Sequence, residues 1–134
     1  MYEFHGWACI RETPNVVDEE RLDKIIDSIK LFIKNLNWTT GILDIQAVNG
    51  EYHLSVSGLT NHKGKDAKDV LTLYRFIAQK APGSYGLLYT RDDEDQSGND
   101  NRFQVLVLVR GSLVEREDPF LSPFVTVVED ECMD

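Results

Sequence analysis

The chain has 134 residues, of which 42% are hydrophobic, enough for one core and too many for a disordered protein. Its 23 acidic residues against 14 basic ones give a formal net charge of −9, which disfavours nucleic acid and anionic membranes as partners. No apolar run reaches the roughly 20 residues of a transmembrane helix, and the N-terminus MYEFHGWACIRE does not have the pattern of a signal peptide. We expect one cytoplasmic domain over residues 1–134, with Cys9 and Cys132 reduced.

The first half of the sequence predicts a strand, a helix and a hairpin. Apolar residues alternate from Tyr2 to Arg11, which predicts a strand. Apolar residues at helical spacing from Asp18 to Leu36 predict a helix whose first turn is acidic. Two alternating segments, Leu43 to Ala47 and Tyr52 to Val56, flank Asn49-Gly50, a pair typical of a tight hairpin turn.

The second half predicts a helix from Asp66 to Lys80, a strand from Ser84 to Thr90 and a strand from Phe103 to Leu113. The last of these is apolar on both faces, so we expect cover on each side, with the tail after Asp118 as a candidate on one of them. The resulting β-α-β-β-α-β-β order predicts an α+β fold. In it two helices pack on one face of a largely antiparallel five-stranded sheet, related to the ferredoxin-like plan.

The acidic loop RDDEDQSGNDNRF, between the last two predicted strands, has a partial resemblance to a calcium-binding loop. With Asp93 at position 1, Gly98 takes the turn position 6, but position 12 is Gln104 where a bidentate Glu is required. The flanking elements are also predicted strands instead of helices. A solvated turn and a charged surface for a basic partner therefore remain as the two interpretations.

No catalytic or metal-binding constellation emerges from the sequence. The three histidines, His5, His53 and His62, lack metal-ligand spacing, and no phosphate-binding glycine motif is present. We therefore expect no enzyme, no cofactor and no metal. Trp7 is predicted either on the open face of the sheet, where it could anchor a partner, or beneath the C-terminal tail.

Three segments, YEFHGWACIRE, PGSYGLLYTRDDED and RGSLVEREDPFLSPFVTVVED, together resemble the immunity protein 7 family of bacterial polymorphic toxin systems. Their order and spacing match across nearly the whole chain. The resemblance implies a cytoplasmic antitoxin that binds a cognate toxin C-terminal domain and protects its producer in contact-dependent competition between bacteria. The positions it implicates are Trp7, Gly86 to Asp93, Asp118, Ser122, Pro123 and Glu129.

Charge and resemblance together predict a monomer or weak homodimer that inhibits a basic toxin domain by stoichiometric protein–protein binding. We expect a nuclease toxin first, and an ADP-ribosyltransferase or other NAD-consuming toxin second. A non-toxin acidic adaptor or a calcium-binding module is the alternative. The expected partner-binding residues are Trp7, Asp92, Asp93, Glu94, Asp95, Asp100, Glu115, Glu117, Asp118 and Glu129.

Overall fold

A computed structural model describes residues 1–13 and 21–124 of the chain. Its elements are, in order, β1 (Tyr2–Ile10), α1 (Leu22–Asn35), β2 (Ile42–Val48), β3 (Glu51–Thr60), α2 (Lys65–Lys80), β4 (Tyr85–Asp92), β5 (Gln104–Val109) and β6 (Ser112–Glu117). The acidic residues predicted to start the first helix, Asp18 to Glu20, lie outside the described residues. No helix in the described ranges is long and apolar enough to cross a bilayer.

The strands form one sheet in the order β2-β3-β1-β4-β5-β6, and each neighbouring pair is antiparallel. Since β3 pairs with both β1 and β2, the two strands joined by α1 run parallel with β3 inserted between them. The same holds for β3 and β4, which are joined by α2 with β1 between them. This double split β-α-β arrangement confirms the predicted α+β class, with two helices and an antiparallel sheet.

The predicted number of strands is wrong, because the sheet has six strands and not five. The segment predicted as one strand, Phe103 to Leu113, turns at Arg110 (φ 49°) and Gly111 (φ 76°), and β6 then pairs back on β5. Left-handed conformations at both residues fit a two-residue hairpin turn. The sequence pattern missed this turn because an arginine rarely adopts positive φ and the apolar run continues on both sides of it.

The core lies between the helices and one face of the sheet. Ile29 of α1 and Leu73 and Ile77 of α2 are fully buried, and each such side chain contributes about 2 kcal/mol of transfer free energy. Phe4 projects from the central strand β1 into the same cluster and packs edge-on against Trp38 at 5.5 Å. The opposite face of the sheet has no helix against it in the described residues, so it is available for other contacts.

Candidate interaction surface

The open face of the sheet carries the residues that alternate with the core positions of β1. Glu3, His5, Trp7 and Cys9 lie on it, because Phe4 and Ala8 between them face the helices. Trp7 is 44% exposed and packs edge-on against Tyr85 of β4 with the ring centroids 6.0 Å apart. Trp7 therefore lies on the open face, one of the two positions predicted for it, while cover by residues 125–134 lies outside the described residues and contact with a partner stays a prediction.

Residues 119–124, here called the anchored segment, are held beside this face by the buried carboxylate of Asp118, which is 5% exposed. The backbone N–H of Phe120 donates to Oδ1 of Asp118 at 3.0 Å, and the N–H of Leu121 donates to Oδ2 at 2.7 Å. The Ser122 hydroxyl donates to the same Oδ2 at 3.1 Å and accepts from the Phe103 N–H at 2.8 Å. These bonds fix the backbone of the segment to Asp118, directly after β6, and to Phe103, directly before β5.

A cavity of about 920 Å³, here called the groove, lies between the anchored segment and the open face. Its lining is mostly apolar and aromatic, from Trp7, Leu87 and Tyr89 on the sheet to Phe120 and Leu121 on the segment. Phe120 is 81% exposed and Leu121 is 56% exposed. The segment expected to cover the sheet therefore displays apolar side chains to solvent while its backbone is held in place.

The acidic residues after β4 lie at one end of the sheet, together with the first residue of the chain. The terminal ammonium of Met1 is 2.5 Å from Oδ1 of Asp93 and 3.4 Å from Oε1 of Glu94. Hydrogen bonding to Asp93 raises the pKa of this amino group. His62 contacts Glu94 at 2.6 Å, and that hydrogen bond lowers the pKa of the Glu94 carboxyl.

The same turn is stabilised by its own carboxylates. Oδ1 of Asp92 accepts from the Glu94 N–H at 3.0 Å, and Oδ2 of Asp95 accepts from the Ser97 hydroxyl and the Asn99 N–H. The hydrogen bond from Ser97 lowers the pKa of Asp95 most strongly. The solvated-turn interpretation is thus a correct description of the local geometry, and four of the expected contact residues also have structural partners.

Strand pairing brings further acids to this end. Asp92, Asp95 and Glu115 line one shallow depression, together with the cations Lys63, Arg91 and Arg102. Glu117 lies opposite Gln104 at the same end of β6, and the Asp100 carbonyl accepts a hydrogen bond from Arg91 at 3.3 Å. We call this set the acidic end; its carboxylates, which outnumber its cations, are Asp92, Asp93, Glu94, Asp95, Asp100, Glu115 and Glu117.

Arg91 connects the acidic end to the groove. Its guanidinium is 7% exposed, pairs with Glu3 at 2.8 Å and stacks over the ring of Phe124 at 4.2 Å. Burial on its own would raise the pKa of Glu3, but hydrogen bonds from His5 and Arg91 hold it below the ordinary value. Because Glu3 neutralises Arg91 internally, the cations left among the described residues to offset the outer carboxylates are the Met1 ammonium, Lys63 and Arg102.

The structure thus gathers most of the predicted contact residues and separates the others. Trp7 lies five residues along β1 from Tyr2, roughly 16 Å from the acidic end. Asp118 is buried beneath the anchored segment, and Glu129 lies outside the described residues. Sequence reasoning missed Phe120 and Leu121 as exposed groove residues, although an Asp followed by Pro and, four residues on, by Ser is typical of a capped turn.

Two groups of potential metal ligands occur among the described residues. The ligand atoms of Asp92, Asp93 and Glu94, and those of Cys9, Glu51 and His53, lie within 4.8 Å of one another in each group. Glu51 also forms an ion pair with Arg11, and burial raises the pKa of the Cys9 thiol. These competing contacts oppose metal binding, and the expectation of no metal stays a prediction.

The comparisons with known proteins give one match. The sequence model of the family described as Immunity protein 7 matches residues 1–130. No curated protein and no solved structure matches the chain.

Proposed function

The chain belongs to the immunity protein 7 family, and on that premise we propose that it neutralises a basic toxin domain by forming a stoichiometric complex through the acidic end. Membership makes it an immunity protein against a toxin, whose partner is therefore a toxin protein. The proposal adds the chemistry of the partner and the part of the surface that meets it. The observation that carries it is the convergence of separate acidic segments at one end of the sheet.

The convergence of these carboxylates matters because clustered charges of one sign attract a partner before the two proteins touch. Carboxylates from the turn after β4 and from β6 combine there in a chain of net charge −9. A patch of one sign attracts a partner of opposite sign, raises the association rate and makes that rate sensitive to salt. Fast capture suits a protein that must bind a toxin before the toxin acts.

A nuclease is the first choice for the toxin. Nucleases bind phosphate through Lys and Arg, so their substrate surface is complementary to a cluster of carboxylates. An ADP-ribosyltransferase or another NAD-consuming toxin is the second choice. Assaying RNA, DNA and NAD cleavage by the toxin domain, with and without this chain, separates the two classes.

The groups nearest to a catalytic arrangement in the described residues favour an inhibitor over an enzyme. Cys9 has a raised pKa caused first by burial, whereas a nucleophilic cysteine requires a lowered one. Its thiol donates a hydrogen bond to Glu51 at 3.4 Å, and Glu51 is engaged by Arg11. Inhibition by binding requires no such group, only a stable and complementary surface.

The test reverses charge at the acidic end without removing the bonds that hold the turn. Glu115 and Glu117 are exposed, so Glu115→Lys with Glu117→Lys changes the charge of the acidic end with little effect on the fold. The control is Asp23→Lys with Asp27→Lys, which makes the same change in net charge on the exposed side of α1 and gives up one long hydrogen bond, from Tyr52 to Asp23 at 3.4 Å.

Stopped-flow kinetics with the cognate toxin domain provide the measurement. We expect the test pair to slow association about tenfold at low salt and to flatten its salt dependence, and the control pair to change it much less. Calorimetry of the unmodified chain should give one toxin domain per chain. Equal effects of the two pairs would show that net charge matters but the acidic end does not, and absent binding would refute the proposed function.

A further inference from the structure

The groove on the open face is a second, apolar part of the surface, and its construction is specific. Exposed apolar residues in water normally lie on mobile chain or occur singly. Here Phe120 and Leu121 are more than half exposed, yet both of their backbone N–H groups donate to a single buried carboxylate. The protein therefore uses a buried charged group to hold apolar side chains in solvent.

A binding surface requires exposed apolar side chains on an ordered backbone, whereas internal packing does not. Holding Phe120 and Leu121 beside the open face costs conformational entropy while leaving more than half of their surface in water. A partner that buries them recovers this area and meets side chains whose backbone is already ordered. Aromatic anchors of this kind, with Trp7 44% exposed opposite them, are the groups that dominate binding energy at protein interfaces.

We propose that the groove receives an apolar side chain of the toxin domain, flanked by basic residues that meet the acidic end. The charge of the partner follows from the contact between the groove and the acidic end. Arg91 lies at the acidic end, where Glu3 neutralises it, and it stacks on Phe124 at the groove. A protein that fills the groove therefore also lies next to the outer carboxylates. The acidic end then governs association and the groove governs dissociation. The inference rests on the proposed function, because it names a second contact in the same complex.

A matched pair of variants tests the inference. Leu121→Ser removes an apolar side chain that is 56% exposed at the groove, and Leu31→Ser removes one that is 58% exposed on α1. Both should leave the stability of the free chain within about 0.5 kcal/mol, because both side chains are at the surface. We expect Leu121→Ser to accelerate dissociation of the toxin domain about tenfold with an unchanged association rate, and Leu31→Ser to alter neither. Adding Phe120→Ser to Leu121→Ser should raise the acceleration to about 30-fold.

The results distinguish this inference from the proposed function. If the unmodified chain binds the toxin domain and the groove variants dissociate as slowly as it does, the groove is not a contact while the inhibitor function stands. If the unmodified chain does not bind, the proposed function fails as well.

Two other occupants of the groove give their own signals. Light scattering that shows a dimer of the free chain, lost in the Leu121→Ser variant, would assign the groove to a second copy and overturn the inference. In a Trp38→Phe background Trp7 is the only remaining tryptophan of the chain. We expect acrylamide to quench the fluorescence of Trp7 in the free chain, and bound toxin domain to protect Trp7 from quenching. Protection in the free chain already would mean that the chain itself fills the groove, which also overturns the inference.

Discussion

Replacing Asp118 by alanine should release the anchored segment while leaving the rest of the fold intact. The Asp118 carboxylate accepts hydrogen bonds from the N–H groups of Phe120 and Leu121 and from the Ser122 hydroxyl, at 3.0, 2.7 and 3.1 Å, and it also interacts with the side chain of Tyr89. Bonds to a charged group are worth about 1.5–3 kcal/mol each. Since Phe120 and Leu121 are themselves exposed, water solvates their freed N–H groups, so the total is closer to the upper limit for a lost helix cap, about 2 kcal/mol.

Hydrogen exchange measured residue by residue checks this magnitude. A local loss of about 2 kcal/mol corresponds to amide exchange about 30-fold faster at Phe120 and Leu121. Amides in the centre of β1 should exchange at their original rate, because the core contacts of that strand do not involve Asp118. Glu117→Ala, the exposed neighbour, serves as the control and should change exchange at neither amide.

Unchanged exchange at Leu121 in the Asp118→Ala variant would refute the reasoning, because the segment would then be held by contacts other than the buried carboxylate. If exchange accelerates as expected, dissociation of the toxin domain should accelerate too, since the groove would lose its fixed wall. Faster amide exchange with unchanged toxin dissociation would show that Asp118 holds the anchored segment but that the fixed segment does not contribute to binding.

Two further predictions concern the ion pair and the sheet. The pKa of Glu3 is held below its ordinary value of 4.5, so its contribution to stability is complete above that value and is lost as the pH falls through the lower folded pKa. Glu3→Gln should therefore flatten the loss of stability in acid denaturation below about pH 4.5, and a curve as steep as that of the unmodified chain would contradict the assignment. In Gly86→Ala, the new Cβ would lie 2.1 Å from the Trp7 carbonyl oxygen, so β1 and β4 must separate and urea denaturation should show a loss of about 3 kcal/mol. Gly98→Ala, at a position with φ +96° and no neighbour within 4 Å, should cost only about 1 kcal/mol, and equal costs would refute the steric argument.

Local signals in the sequence were sufficient for most of the elements. The helices follow from apolar spacing, and the Asn49-Gly50 turn, with φ values of 51° and 84°, follows from the preference of these residues for left-handed conformations. The same kind of signal failed at Arg110, whose positive φ is imposed by pairing of β6 on β5 and not by its own preference. A hairpin whose turn has glycine at only one of its two positions gives a weak local signal, and the contacts across the sheet that stabilise it are not visible in the periodicity along the chain.

By itself, the sequence determined the α+β class, the acidity of the chain and its membership of the immunity protein 7 family, because these depend on residue type and on spacing within short segments. Only the tertiary structure decided that Glu115 joins Asp92 and Asp95 at one end of the sheet, and that Asp118 is buried while Phe120 is exposed. The physical reason is that strand register and burial are set by contacts between residues far apart in the chain. The local sequence around Asp118 and Phe120 is the same whether each side chain is buried or exposed, so it does not report their burial.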